Sequence, residues 1–125
     1  SKNPVKRDLE FLKDKWDSLN CEIWEEVSGK HFYDRLMARR AFKMGAEFAK
    51  ERGDLDGSSA YGEKVGDVDN VLGQHWVQDV EAIIPTTGQK RYDDIQTVLA
   101  TLHSYPEEDG CYSPTEEKAM ANLLY

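Results

Sequence analysis

Cysteine, histidine and long apolar runs are all scarce in these 125 residues, and each scarcity excludes something. Two cysteines, Cys21 and Cys111, are too few for a disulfide framework and form no Cys-x-x-Cys pair. They stand as a bridge, as unpaired thiols, or as thiols paired beyond this piece. A bridge would close a long loop and contribute roughly 4–5 kcal/mol in the chain-entropy model. The three histidines, His31, His75 and His103, are scattered without ligand spacing, so no metal site is expected. A faint calcium-loop pattern at Asp54, Asp56 and Gly57 fails, because the position that needs glutamate falls on Val65. No Gly-rich phosphate loop or nucleophile elbow is present, and no cofactor is expected. No apolar run reaches the ~18–20 residues of a membrane span. No Asn-x-Ser/Thr acceptor occurs. Basic residues are outnumbered 16 to 24, for a net charge of −8. Such a surface repels phosphate backbones, which argues against nucleic acid as a partner. The chain starts at Ser1 with no signal peptide, and reads as a processed or cut piece.

What is present is a globular composition, 39% hydrophobic and 32% charged, in one domain with a modest core. The pattern is helical throughout. Asn3-Pro4 reads as a cap followed by a first-turn proline. Val5, Leu9, Leu12, Trp16 and Leu19 then make one apolar stripe. Residues 20–30 read as a loop. A second helix is expected from about His31 to Arg52, burying Phe32, Leu36, Ala41, Met44, Phe48 and Ala49, with Gly53 as its stop. Residues 53–66, rich in Gly, Ser and Asp, read as a surface loop. Asp67 or Asp69 caps an expected third helix carrying Leu72, Trp76, Val80 and Ile83, which Pro85 ends. Asp93-Asp94 opens a fourth, with Ile95, Val98, Leu99 and Leu102 inside. Ser113-Pro114-Thr115-Glu116 opens a last helix through a capping box; it is still running at Tyr125, which suggests a longer natural chain. No strand-like alternation is strong enough to predict a sheet. His103 reads as a satisfied core or helix-end histidine.

The 20–30 loop carries the chemistry. Glu22, Glu25 and Glu26 surround Trp24 within five residues. Mutual repulsion raises the pKa of at least one carboxyl, and an aromatic wall adds desolvation in the same direction. Glycoside hydrolysis needs such a protonated acid to protonate the leaving oxygen. A tryptophan also suits the C–H face of a sugar. The plainer reading is an acidic helix entry, favoured by the helix dipole, with Trp24 covering the core edge. Arg39-Arg40 is either a solvated pair or a counter to the acidic cluster.

The run Glu22-Ile23-Trp24-Glu25-Glu26-Val27-Ser28-Gly29, ahead of His31-Phe32-Tyr33 and the helix with Ala38-Arg39-Arg40-Ala41-Phe42, resembles the active-site region of fungal glucoamylases. The likeness covers about residues 8–52. A weaker patch runs from Tyr92-Asp93-Asp94-Ile95 to His103, in the same order as in that family. The resemblance implies an all-α fold, part of an (α/α)6 barrel, of which residues 1–125 are a partial catalytic domain of about five helices. It implies release of glucose from non-reducing ends of α-1,4-glucans or maltooligosaccharides with inversion, and a secreted, extracellular protein. It makes Glu25 the general acid, with Glu22 also in the catalytic set, at a position where the family usually has Asp. Trp24 and Glu26 become substrate contacts. The general base is expected outside this chain, and the remainder of the catalytic domain is needed. Two rival readings stand beside it: a non-catalytic helical interaction module with an acidic loop, and another α/α-barrel carbohydrate hydrolase.

Overall fold

The computed structural model describes residues 3–17, 20–21, 28–78, 80, 82–87, 95–104 and 117–123. Five α-helices run through them: α1 Pro4–Lys15, α2 Phe32–Glu51, α3 Leu55–Leu72, α4 Ile95–Ser104 and α5 Glu117–Leu123. A single 3₁₀ turn, Gly73–His75, follows α3. Among the described residues the helices number five, and their positions are not all as expected.

The α1 start is as the sequence indicates. The Asn3 side chain accepts hydrogen bonds from the backbone N–H of Val5 at 3.0 Å and of Lys6 at 3.4 Å, and Pro4 occupies the first turn. The helix ends at Lys15, before the expected Leu19, which lies outside the described residues. Its stripe is narrower than expected: Leu9 is buried, Leu12 and Trp16 are partly covered, and Val5 is exposed.

Helix α2 is the central element, packed against α1, α3 and α4. Its end is set by Gly53, whose φ of +77° favours glycine. The Gly53 N–H donates to Lys50 O at 3.1 Å, and the Asp54 N–H to Ala49 O at 2.8 Å. These two bonds form a Schellman cap. The buried face is rotated from the expected one. Phe32, Leu36 and Ala49 are buried, but so are Arg35, Ala38, Phe42 and Gly45. Ala41 and Phe48 are only partly covered, and Met44 is exposed. Met44 and the half-covered Ala41 and Phe48 lie with Val5, Leu9 and Leu12 along an apolar groove between α1 and α2.

Residues 53–66 are not a loop, and this corrects the reading of both that stretch and the third helix. Asp54 closes the cap of α2 and also caps α3, accepting from the Gly57 N–H at 3.0 Å. Gly57 fits because a β-carbon there would lie 2.4 Å from a carboxylate oxygen of Asp54. Tyr61, Val65, Val68 and Leu72 then repeat at 4-3-4 spacing on the face toward the core. Glycines 57, 62 and 66 each cost about 1 kcal/mol relative to alanine in a helix. Packing against α2 offsets this, since tertiary burial rather than propensity decides most helices.

The expected third helix therefore ends at Leu72, and its second half is a hairpin. Strands β3 Trp76–Val77 and β4 Ala82–Ile83 pair antiparallel, with Trp76 opposite Ile83 and Val77 opposite Ala82. Pro85 disfavours helical geometry at Ile84, and Ile84 lies just beyond β4. A second small ladder joins β1 Asn20–Cys21 to β2 Ser28–Gly29, with Asn20 opposite Gly29 and Cys21 opposite Ser28. Two-residue ladders leave no alternation long enough to detect. Among the α4 side chains described, Thr97, Ala100 and Thr101 are buried, Leu99 is partly covered and Leu102 is exposed, the last against expectation; the side chains of Ile95 and Val98 lie outside the description. The caps expected at Asp93-Asp94 and at Ser113–Glu116 lie outside the described residues, as does Cys111.

Candidate active site

The four expected site residues, Glu22, Trp24, Glu25 and Glu26, lie outside the described residues. Both ends of their segment are described. The β1–β2 ladder joins Cys21 to Ser28, so the two ends of the segment lie side by side at one neck. Its outgoing leg, residues 28–32, is also held from the other side. The Thr87 N–H donates to Lys30 O at 3.0 Å, the Phe32 N–H donates to Pro85 O at 2.8 Å, and His31 bridges to Thr86. The rings and hydroxyls follow: His31 Nδ1 lies 2.8 Å from Thr86 Oγ1, and both residues are buried.

A polar cluster built on the buried Arg35 and His75 sits beside this neck, at the start of α2. Arg35 is 2% exposed. Its Nε donates to Asp17 Oδ1 at 2.9 Å, and Nη2 lies 2.9 Å from the same oxygen. Its Nη1 reaches Val71 O at 3.3 Å, Gln74 Oε1 at 3.0 Å and His75 Nε2 at 3.1 Å. The other Asp17 oxygen takes the Lys30 ammonium at 3.1 Å. Asp17 precedes the acidic segment and Lys30 follows it, so one carboxylate spans the neck.

The state of His75 follows from its partners. Its Nδ1 lies 2.6 Å from the carbonyl of Ile84, which can only accept. Nδ1 therefore carries the proton, and Nε2 is the lone pair that receives Arg35. Burial pushes the His75 pKa down to about 4, with the nearby Arg35 charge acting in the same direction and the Ile84 bond against it. The ring is neutral, and it packs edge-on against Phe32 at 5.5 Å between centroids.

The end of α4 meets the same end of α2. Tyr33 OH lies 2.7 Å from His103 Nδ1, and the two rings stand edge to face. His103 is a satisfied histidine at a helix end, and it is exposed. Among the described residues no group of three or more His, Cys, Asp or Glu side chains could hold a metal ion. No described helix is long and apolar enough to cross a membrane.

Sequence reasoning missed Arg35, Asp17 and His75 as a unit. A signal was there: Arg35 falls inside the stripe Phe32, Leu36, Ala38 and Phe42, where an arginine is out of pattern. Of Arg39-Arg40, the pair considered as a counter-charge, Arg39 donates to Asp69 Oδ1 at 2.6 Å on α3. It is the arginine one turn earlier that points to the neck.

A model of the family described as Glycosyl hydrolases family 15 matches residues 1–125. Glucoamylase from Blastobotrys adeninivorans is 32% identical over 123 residues, 94% of this chain and 20% of that protein. Glucoamylase 1 from Rhizopus oryzae is 31% identical over 129 residues, 98% of this chain and 21% of that protein. The solved family 15 glucoamylase from Hypocrea jecorina superposes with a TM-score of 0.86 at 27% identity, over 96% of this chain and 21% of that one. The fold is thus all-α and part of an (α/α)6 barrel, as the sequence led one to expect. The chain spans about a fifth of the length of the relatives it matches.

Proposed function

The chain belongs to glycosyl hydrolases family 15, and from that premise we propose that it is the portion of an α-glucan hydrolase that supplies the proton donor. Glu25 is the general acid. Trp24 and Glu26 contact the sugar, and Glu22 acts in the catalytic set beside Glu25. The base lies outside residues 1–125, which are a partial catalytic domain. The complete enzyme is secreted, needs the rest of that domain, and removes glucose from non-reducing ends of α-1,4-linked chains.

The observation that carries this reading is the Trp24-Glu25-Glu26-Val27-x-Gly29 run, which in sequence follows β1 and ends in β2, in a family 15 chain. Loops held by a rigid scaffold are where catalytic groups concentrate. The names of the matching relatives support the substrate class. In the reaction, the Glu25 carboxyl gives its proton to the glycosidic oxygen as the C1–O bond breaks. Water, losing a proton to the base, attacks C1 from the opposite face. The C1 configuration inverts.

Proton NMR of the complete enzyme acting on maltotriose tests this directly. β-Glucose as the first monosaccharide signal, with maltose as the other product, is the expected result. First-formed α-glucose would contradict inversion, and no sugar release at all would contradict the activity.

A further inference from the structure

We propose that the apolar groove between α1 and α2 is the seat of the helix that precedes α1 in the complete catalytic domain. The occupant is an amphipathic helix of the same polypeptide, laid with its apolar stripe into the groove. The inference stands on the fold and is independent of which residue donates the proton.

Both walls of the groove follow helical spacing. Helix α1 contributes Val5, Leu9 and Leu12, and α2 contributes Ala41, Met44 and Phe48. Each wall is about 10 Å long, two turns at ~1.5 Å per residue. The two helices run antiparallel here, since Lys6 meets Asp54 beyond the end of α2 while Leu9 meets Gly45 inside it. A β-carbon on Gly45 would lie 2.7 Å from Leu9 Cδ1, so glycine lets the two helices close and form the floor. Above that floor is a space of about 390 Å³. On its rims Val5 is 46% exposed and Met44 51% exposed. The one charged side chain of the lining, Asp8, also reaches solvent. Two ridges with helical spacing and an apolar floor receive the ridge of a third helix at a crossing of about 20°. Apolar surface gathered in this way marks an interaction site. Helix α2 thus has two apolar faces: Phe32, Leu36 and Phe42 face the core, and Ala41, Met44 and Phe48 line the groove. A helix apolar on more than one side is one that is enclosed on more than one side.

The fold names the occupant. In an (α/α)6 barrel, successive helices alternate between an inner and an outer layer, so α2 and α4 share one layer and α1 and α3 the other. Each helix of a closed ring has two neighbours in its own layer. Helix α4 packs against α2 and is one of them. The second belongs on the α1 side of α2, where the groove lies, and in alternating order it comes before α1. The chain spans about a fifth of the length of its relatives, so the remaining ring positions belong to other segments of such an enzyme.

Photo-cross-linking in the complete enzyme tests this. A benzophenone-bearing residue replaces Met44 and, in a separate variant, Val5, on opposite rims of the groove. After irradiation and digestion, mass spectrometry identifies the linked peptide. Both sites are expected to link, within one molecule, to the same helix ahead of Ser1 in the natural chain. A link to a segment beyond Tyr125, a link between two molecules, or no link from either site overturns the proposal. The Val5 variant carries the test where the Met44 variant does not fold. Urea unfolding gives an independent reading. Met44→Leu should keep the wild-type midpoint within error, while Met44→Lys, which forces an ammonium into the seat, should lower it by roughly 0.5–1 M. Equal midpoints for the two variants would mean that this side chain faces water in the complete enzyme, and would overturn the proposal.

Discussion

The two ends of α2 are both laced with ion pairs, and they differ in almost everything except residue type. At the start of the helix, Arg35 is sealed from solvent and shares Asp17 with Lys30. At the far end, Lys6 pairs with Asp54, and Lys13 pairs with Glu10 at 2.9 Å, all four reaching water. The far-end shifts are local. The Lys6 hydrogen bond and charge push the Asp54 carboxyl below its usual range, and Lys6 itself is raised by the same contact. Exposed pairs of this kind contribute little, because water and salt screen them. The Arg35–Asp17 pair is different, because its arginine is buried while its carboxylate is partly exposed: removing Asp17 leaves a guanidinium charge in the interior. Position in the fold, rather than the presence of a salt bridge, decides what each pair does.

The largest effect expected from breaking this contrast is in Arg35→Met. It leaves the buried His75 Nε2 without its donor and removes the Asp17 contact, although Asp17 keeps Lys30 and some solvent, and urea unfolding of the complete protein should show a loss of about 3 kcal/mol. A loss no greater than that of an exposed pair would remove the distinction.

His75 gives a pH test of similar scale. Its folded pKa, about 4, lies below the unfolded value of 6.5. Between those values the unfolded chain binds more protons, so stability rises with pH there. The contribution is complete above pH 6.5, is lost as pH falls toward about 4, and amounts at most to something on the order of 3 kcal/mol. His75→Gln should flatten that part of the stability–pH curve relative to wild type. An unchanged slope would mean that the ring does not titrate as buried.

A smaller effect is expected at the far end from Tyr61→Phe. The ring is buried and its hydroxyl donates to Glu10 at 2.9 Å. Burial, reinforced by that carboxylate, lifts the phenol pKa to about 12. Glu10 is partly in water, so loss of the bond should cost no more than about 1 kcal/mol by urea unfolding. The smallest is Lys6→Met, which should leave the melting temperature unchanged within error at 0.15 M salt, where the Debye length is about 8 Å. A clear drop there would show that the far end is held by charge after all.

What the sequence disclosed was local. Asn3-Pro4 and Gly53 act through hydrogen bonds to their own neighbours, and their meaning survives without the fold. The α3 helix did not disclose itself, because glycines and serines argue for a loop until α2 is there to bury Tyr61 and Val68. The β3–β4 hairpin was hidden for the opposite reason: its apolar residues happen to keep helical spacing. Arg35 was visible only as an anomaly in a stripe, since its partners are Asp17, 18 residues before it, and Gln74 and His75, nearly 40 residues after it. The Trp24-Glu25-Glu26 segment was read as chemistry from its residue types, and it lies outside the described residues. Its neck is legible only in three dimensions.

The most direct test is the Glu25→Gln substitution in the complete enzyme, followed by maltose turnover and by calorimetric binding of a maltooligosaccharide. Loss of a general acid predicts a fall in kcat of about 10²–10⁴-fold with binding largely intact. Near-normal turnover by the glutamine variant would contradict the assignment of the proton donor to this chain.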